Sequence, residues 1–286
     1  MTPERCTLAS ASGNVFAFVW RRGLAVPQGF DGADVAGRLC PRGHGLGLDG
    51  VFLLDDCAPW RPWEIAHWDA DGSFSFCSNG TRAAAALLPD DVQGRLEVIS
   101  SGESATLDRR GHDVGLRLPE GRDYGLSDAP EGLPFPAVYA WTGTPQLVLL
   151  VPDTEAIDLA SFGPPLRFHP ALPFGANVSV LQVVSEPGAG GASMGVAKIR
   201  TWERGVEGET LSCGQGAAAA AAWLAERYGA MVWEILPRGA DSLRLEIGQL
   251  TGRRWTELWL RGRVRVLGDV LLAPGGRGGG GEAAGL

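Results

Sequence analysis

Two stretches of this chain, CSNGTRAAAALL (77–88) and CGQGAAAAAAWL (213–224), align residue by residue, and this repeat limits the available folds more than any other feature. Cys77 matches Cys213, Gly80 matches Gly216, the alanines at 83–86 match those at 219–222, and Leu88 matches Leu224. Each stretch reads as a glycine turn that opens a helix. Alanine is the strongest helix former and needs little room, so each helix suits a place enclosed by sheet. The helices are expected over 81–88, ended by Pro89, and over 217–229, ended by Gly229. The repeat extends loosely outward. Trp68-Asp69 precedes the first cysteine as Trp202-Glu203 precedes the second, and Gly13-Asn14 opens the first half as Gly143-Thr144 opens the second. Two similar lobes with one cysteine each follow from this pattern.

Most of the remaining chain reads as short strands: 16–20, 50–54, 95–100, 114–118, 147–151, 178–184, 194–202, 243–247 and 256–268, several alternating apolar and polar residues. The 42 glycines and 19 prolines among 286 residues favour short elements joined by turns over a bundle of long helices. The tail at 274–286 has little to pack and is expected to be disordered.

A net charge of −8 disfavours a nucleic-acid partner. No run reaches the roughly 18 apolar residues of a membrane span, and the N-terminus lacks the basic-then-apolar order of a signal peptide. Five scattered cysteines without CxxC spacing fit free thiols in a reducing, cytoplasmic setting. Cys40 and His44, with Cys57, are spaced like part of a metal site, but structural thiols are the better reading, so no metal is expected. The GHGLGLDG run (43–50) lacks the Lys-Ser/Thr ending of a phosphate loop and reads as a turn. None of the four histidines attaches by motif to Cys77 or Cys213, which disfavours a Cys-His hydrolase. Trp60, Trp63 and Trp68 are candidates for the surface or for the lining of a cleft.

Two copies of the cysteine motif facing each other would place a thiol on either side of one small ligand. The helix behind each cysteine attracts an anion through its unpaired N–H groups and its dipole. The same field is expected to lower the thiol pKa. Gly214 and Gly216 would let the backbone approach a ligand carboxylate from one side, and Gly80 with the amides of Ser78 and Asn79 from the other. One thiolate would remove an α-proton, the carboxylate would store charge, and the other thiol would return a proton to the opposite face. That is two-base racemisation or epimerisation of an amino acid, and it calls for no cofactor.

In its ordered motifs the chain resembles the diaminopimelate epimerase family, whose members are PLP-independent, up to about residue 270. The resemblance is carried by SASGNVF (10–16), LCPRGHGLGLDGVFLL (39–54), WDADGSFSFCSNGTRAAAALL (68–88), FGANVSVLQVV (174–184) and RTWERGVEGETLSCGQGAAA (200–219). It implies an α/β (α+β) fold of two pseudo-symmetric lobes, each a curved, mostly antiparallel sheet around a central helix. The implied divisions are 1–130, 131–264 and a strand at 265–273 that returns to the first lobe. It implies Cys77 and Cys213 as the acid/base pair and Glu203 as an acid beside them. Asn14, Asn177 and Arg204 match residues that grip the far end of the substrate. The implied reaction converts LL-diaminopimelate to its meso form, and the implied assembly is a homodimer. Gln146 stands where the family has histidine, Thr144 where it has asparagine, Asp69 (or Trp68, if the block is one residue short) where it has a second asparagine, Val15 where it has aspartate, Ser78 where it has glycine and Gln215 where it has threonine. These departures keep two other readings open: an epimerase for a different amino acid, and a non-catalytic binding homologue.

Overall fold

In the computed structural model the strand-rich pattern becomes, among the described residues, one hydrogen-bonded sheet of sixteen strands crossed by four helices. The structure describes residues 5–21, 30–55, 61–120, 123–188, 194–239 and 241–272. The first run of elements is β1 (Arg5–Ala11), β2 (Asn14–Trp20), α1 (Gly32–Leu39), β3 (Gly50–Leu54), β4 (Trp63–Asp69), α2 (Ser78–Ala85), β5 (Gly94–Ser100), β6 (Glu103–Arg110) and β7 (Asp113–Arg117). After β8 (Gly125–Asp128) come β9 (Ala137–Trp141), β10 (Pro145–Leu150), α3 (Leu159–Arg167), β11 (Asn177–Ser185), β12 (Gly195–Glu203), the short β13 (Gly208–Thr210), α4 (Gly214–Tyr228), β14 (Val232–Leu236), β15 (Leu243–Thr251) and β16 (Arg254–Leu271).

The pairing repeats. Strands β2 and β3 are parallel with α1 between them, as β10 and β11 are with α3 between them. Strands β4 and β5 are parallel across α2, as β12 and β14 are across α4. The other neighbours are antiparallel, so the architecture is mixed α+β and dominated by sheet. Strands β1 to β7 close into an eight-strand barrel through β16, which pairs with β7 over 259–263 and with β1 over 264–271. Earlier in its length β16 pairs with β15, and the second run continues through β14, β12, β11, β10 and β9 to β8. Leu126 at β8 donates its N–H to Arg253 O, just before β16, at 2.8 Å.

Helix α2 packs against β1, β2, β3, β6, β7 and β16, and all eight of its residues are buried. Helix α4 packs against β8 to β11 and β14 to β16, and its first twelve residues are buried. Side chains no larger than alanine let the strands come close, which is why polyalanine serves here where leucine would overfill the space. Gly229 ends α4 in the left-handed conformation (φ 72°), its N–H returning to Ala225 O.

Both alanine helices start three residues earlier than the alanine pattern suggests, because the cysteines themselves are the caps. α2 also stops at Ala85, short of Pro89. Helices α1 and α3 have no alanine signal, and α3 carries Pro164 and Pro165 inside it. Trp63 is fully buried, so it belongs to neither a surface nor a cleft wall. Trp60, Cys57 and the tail at 274–286 lie outside the described residues. No helix among the described residues is long and apolar enough to cross a membrane.

Candidate active site

Cys77 is the N-cap of α2 and Cys213 that of α4, with matching extended backbones at φ −121°, ψ 111° and φ −114°, ψ 105°. In each case the sulfur accepts the N–H three residues on, from Gly80 and from Gly216, both at 3.4 Å. Serine, threonine, aspartate and asparagine are the favoured N-caps, and sulfur is a weaker acceptor. Helix stability alone would therefore not select cysteine at both caps. The two N-termini meet: a Cβ on Gly214 would stand 2.5 Å from Ser78 Oγ and 3.0 Å from Asn79 Oδ1. The first amides of each helix, at 78–79 and 214–215, have no carbonyl a turn back to bond. Gly80 fits because a Cβ there would run into the Phe52 ring.

On the α2 side, Asn79 Nδ2 donates to Asn14 Oδ1 at 2.8 Å, and Asn79 Oδ1 accepts from the buried Arg82 at 2.9 Å. Arg82 also donates to Ser12 Oγ at 2.8 Å. Asp49 accepts the Val15 N–H at 2.7 Å and also bonds the Asn14 side chain. On the α4 side, Gln146 Nε2 donates to Thr144 Oγ1 at 2.8 Å, and that hydroxyl donates to Gln215 Oε1 at 2.7 Å. Gln146 is fully buried, with Oε1 3.4 Å from where a Cβ on Gly216 would be. Asn177 is paired in register with Gln146, and its Oδ1 accepts the Arg204 N–H at 2.7 Å. That bond fixes the turn after β12 and leaves the Arg204 side chain exposed.

Glu203, the last residue of β12, reaches across to both thiols electrostatically. Burial pushes its carboxyl up to about 7, against the opposing pull of Thr210 and of the Cys213 thiol beside it. The Cys77 and Cys213 thiols are likewise raised. For Cys77 the cause is burial, then Asp69, with the Gly80 N–H acting the other way. For Cys213 it is burial, then Glu203, opposed by the Gly216 N–H. The expected lowering by the helix N-termini is thus reversed: one N–H bond does not offset desolvation and neighbouring carboxylates. Cys6 and Cys40 are raised to about 11 and about 12, mainly by burial, and pack in the core beside α1. Among the described residues no three His, Cys, Asp or Glu side chains gather as metal ligands.

The structure thus groups Cys77, Ser78, Asn79, Gly80, Asn14, Cys213, Gly214, Gln215, Gly216, Gln146 and Glu203 around two abutting helix starts, with Asn177 and Arg204 at the edge. Asp49 was not singled out from the sequence, although it sits in the GLGLDG run. Nor was the Thr144 link, since a hydroxyl between two amides leaves no spacing signal. A separate cavity of about 400 Å³, lined by Asp113, Glu234, Asp241, Arg244, Arg261 and Arg263 among others, contains no thiol.

The same fold occurs in a phenazine biosynthesis protein of the PhzF family from Bacillus anthracis (TM-score 0.68, 11% identity, 96% of this chain and 100% of that one). It also occurs in the probable proline racemase of Agrobacterium radiobacter (TM-score 0.61, 14% identity, 94% and 92%). No family model matches the sequence. Direct sequence comparison is more specific. The diaminopimelate epimerase of Aquifex aeolicus is 32% identical over 204 residues, covering 68% of this chain and 70% of the relative. That of Gemmatimonas aurantiaca is 32% identical over 233 residues, covering 75% and 77%. The chain belongs to the diaminopimelate epimerase family and is an enzyme of the isomerase class.

Proposed function

We propose that the protein inverts the α-carbon of an amino acid by two-base catalysis, with LL-diaminopimelate to meso-diaminopimelate as its reaction. The observation that carries this reading is the pair of cysteine N-caps on abutting helix starts. The substrate α-carboxylate lies between the free amides of 78–79 and 214–215, where two helix dipoles add in its favour. Cys77 and Cys213 then stand on opposite faces of Cα. Glu203, held near neutrality, accepts the Cys213 proton, and the thiolate removes the α-proton. The Cys77 thiol delivers its proton from the other face, and the roles exchange in the reverse direction. The helix amides stabilise the charge that moves onto the carboxylate, so the scheme draws on no electron sink. Asn14, Asn177 and Arg204 are assigned to the far end of the substrate. Ser78, Asn79, Gly80, Gly214, Gln215 and Gly216 hold its carboxylate, and Gln146 orders Gln215 through Thr144.

In this reading the two runs of elements are two lobes, β1 to β7 closed by β16 around α2 and β8 to β15 around α4, so the boundary expected at 130/131 moves ahead of β8 and the strand expected at 265–273 already joins the first lobe from residue 259. Incubation with LL-diaminopimelate and chiral chromatography tests the assignment. Conversion to the meso isomer is expected, and Cys77→Ser and Cys213→Ser should each lower it by about a hundredfold or more. Turnover unaffected in both variants would contradict it.

A further inference from the structure

The strands that lead into the two cysteine helices both end in an acid, Asp69 on β4 and Glu203 on β12, at equivalent places in the repeated pairing. Asp69 Oδ2 accepts hydrogen bonds from Ser75 Oγ at 2.5 Å and Ser73 Oγ at 3.3 Å. Oδ1 has only His67 Nε2 nearby, at 3.7 Å, beyond hydrogen-bond range. His67 is fully buried and carries no counter-charge, because burial holds its pKa down. Its Nε2 has no hydrogen-bond partner. Among the described residues Asp69 therefore has no cationic partner, and its side chain is 42% exposed. Asp69 is paired in register with Gly50, next to the Asp49 that accepts the Val15 N–H beside Asn14, which sets it on the Asn14 side of the two helix starts. The loop it starts approaches the Arg204 turn: Asp71 Oδ2 is 4.0 Å from where a Cβ on Gly205 would be.

We infer that Asp69 is a specificity-determining residue that receives a second amine at the far end of the substrate, so that the site also takes diamino acids with a single carboxylate. The inference rests on the epimerase reading above. A diamino monocarboxylic acid matches the charges one for one: carboxylate to the helix amides, α-ammonium to the single negative charge shared by Glu203 and Cys213, distal ammonium to Asp69. An apolar chain end would leave Asp69 desolvated and unpaired on binding. A second substrate carboxylate has Arg204 to meet it but is repelled by Asp69. The asparagine that the family pattern has at this position would impose neither condition. The demand for a far-end amine is thus strict, and the demand for a far-end carboxylate is relaxed.

The test compares L-lysine with L-norleucine, which differ in the distal amine alone, by α-proton exchange in D2O and by calorimetric binding. The wild type should favour lysine by about tenfold or more in kcat/KM and in affinity, as expected for one charge-assisted contact. In Asp69→Asn that ratio should fall to within about threefold, with a native circular dichroism spectrum and a cooperative thermal unfolding transition confirming the fold. A wild-type ratio near one, or a ratio unchanged in Asp69→Asn, overturns the inference while leaving the epimerase reading intact. Absence of exchange with every substrate, diaminopimelate included, would overturn that reading, and the binding ratio would still decide the role of Asp69.

Discussion

At the residue scale the account turns on groups whose protonation is set by burial. Glu203 is raised from 4.5 to about 7, so the native state holds its proton more tightly than the unfolded chain does. Stability from that proton is fully present below about 4.5 and is lost as pH rises through about 7. The melting temperature of the wild type relative to Glu203→Gln should therefore fall across that window. The carboxyls held low by partners, such as Asp108 beside Arg110 and Arg261, act only at more acid pH and in the opposite direction. A flat difference between the two proteins from pH 4.5 to 7 would contradict the assignment. The cysteine pair was legible in the sequence because it sits in a repeat. The thiol pKa was not, because its direction depends first on burial and then on carboxylates such as Asp69 and Glu203, all of which the fold decides.

At the scale of elements the two alanine helices are the frame of the site, and their fit is tight on one side. Gly80→Ala would drive a methyl into the fully buried Phe52 ring. We expect a loss of about 1–3 kcal/mol in urea unfolding, as for other overpacked cores, with activity falling because Cys77 is three residues away. No change in midpoint would show that α2 is not held against β3. Both helices could be read from composition, but their starts could not: an alanine run marks a helix body, while the cap is fixed by which side chain reaches the first N–H. No local pattern marks α3, because Pro164 and Pro165 lie inside it and tertiary packing of Leu159 and Leu166 helps to hold it. Strands such as β3 were clear because GVFLL is fully apolar and fully buried, whereas β8 is four residues with two exposed.

At the scale of the whole molecule one strand ties the architecture together. β16 pairs with β15, β7 and β1, so it belongs to both runs of the sheet. Local pattern marks β16 as a strand but says nothing of its partners, since its pairing with β1 joins residues near opposite ends of the chain. Trp63 lies in the first run and Trp233 in the second, both fully buried. Tryptophan fluorescence and far-ultraviolet circular dichroism should report one coincident unfolding transition. Two separated transitions would mean that the halves unfold independently despite the shared strand. Val264→Asp, at a fully buried position of β16 opposite Ala11, should destabilise by about 3 kcal/mol or more. The central claim is that two thiols act on opposite faces of one carbon. Its most direct test is to follow LL-diaminopimelate in D2O at early conversion by mass spectrometry. The account predicts deuterium at Cα of the inverted product while recovered starting isomer keeps its protium; equal early labelling of both would mean one base serving both faces, and would contradict it.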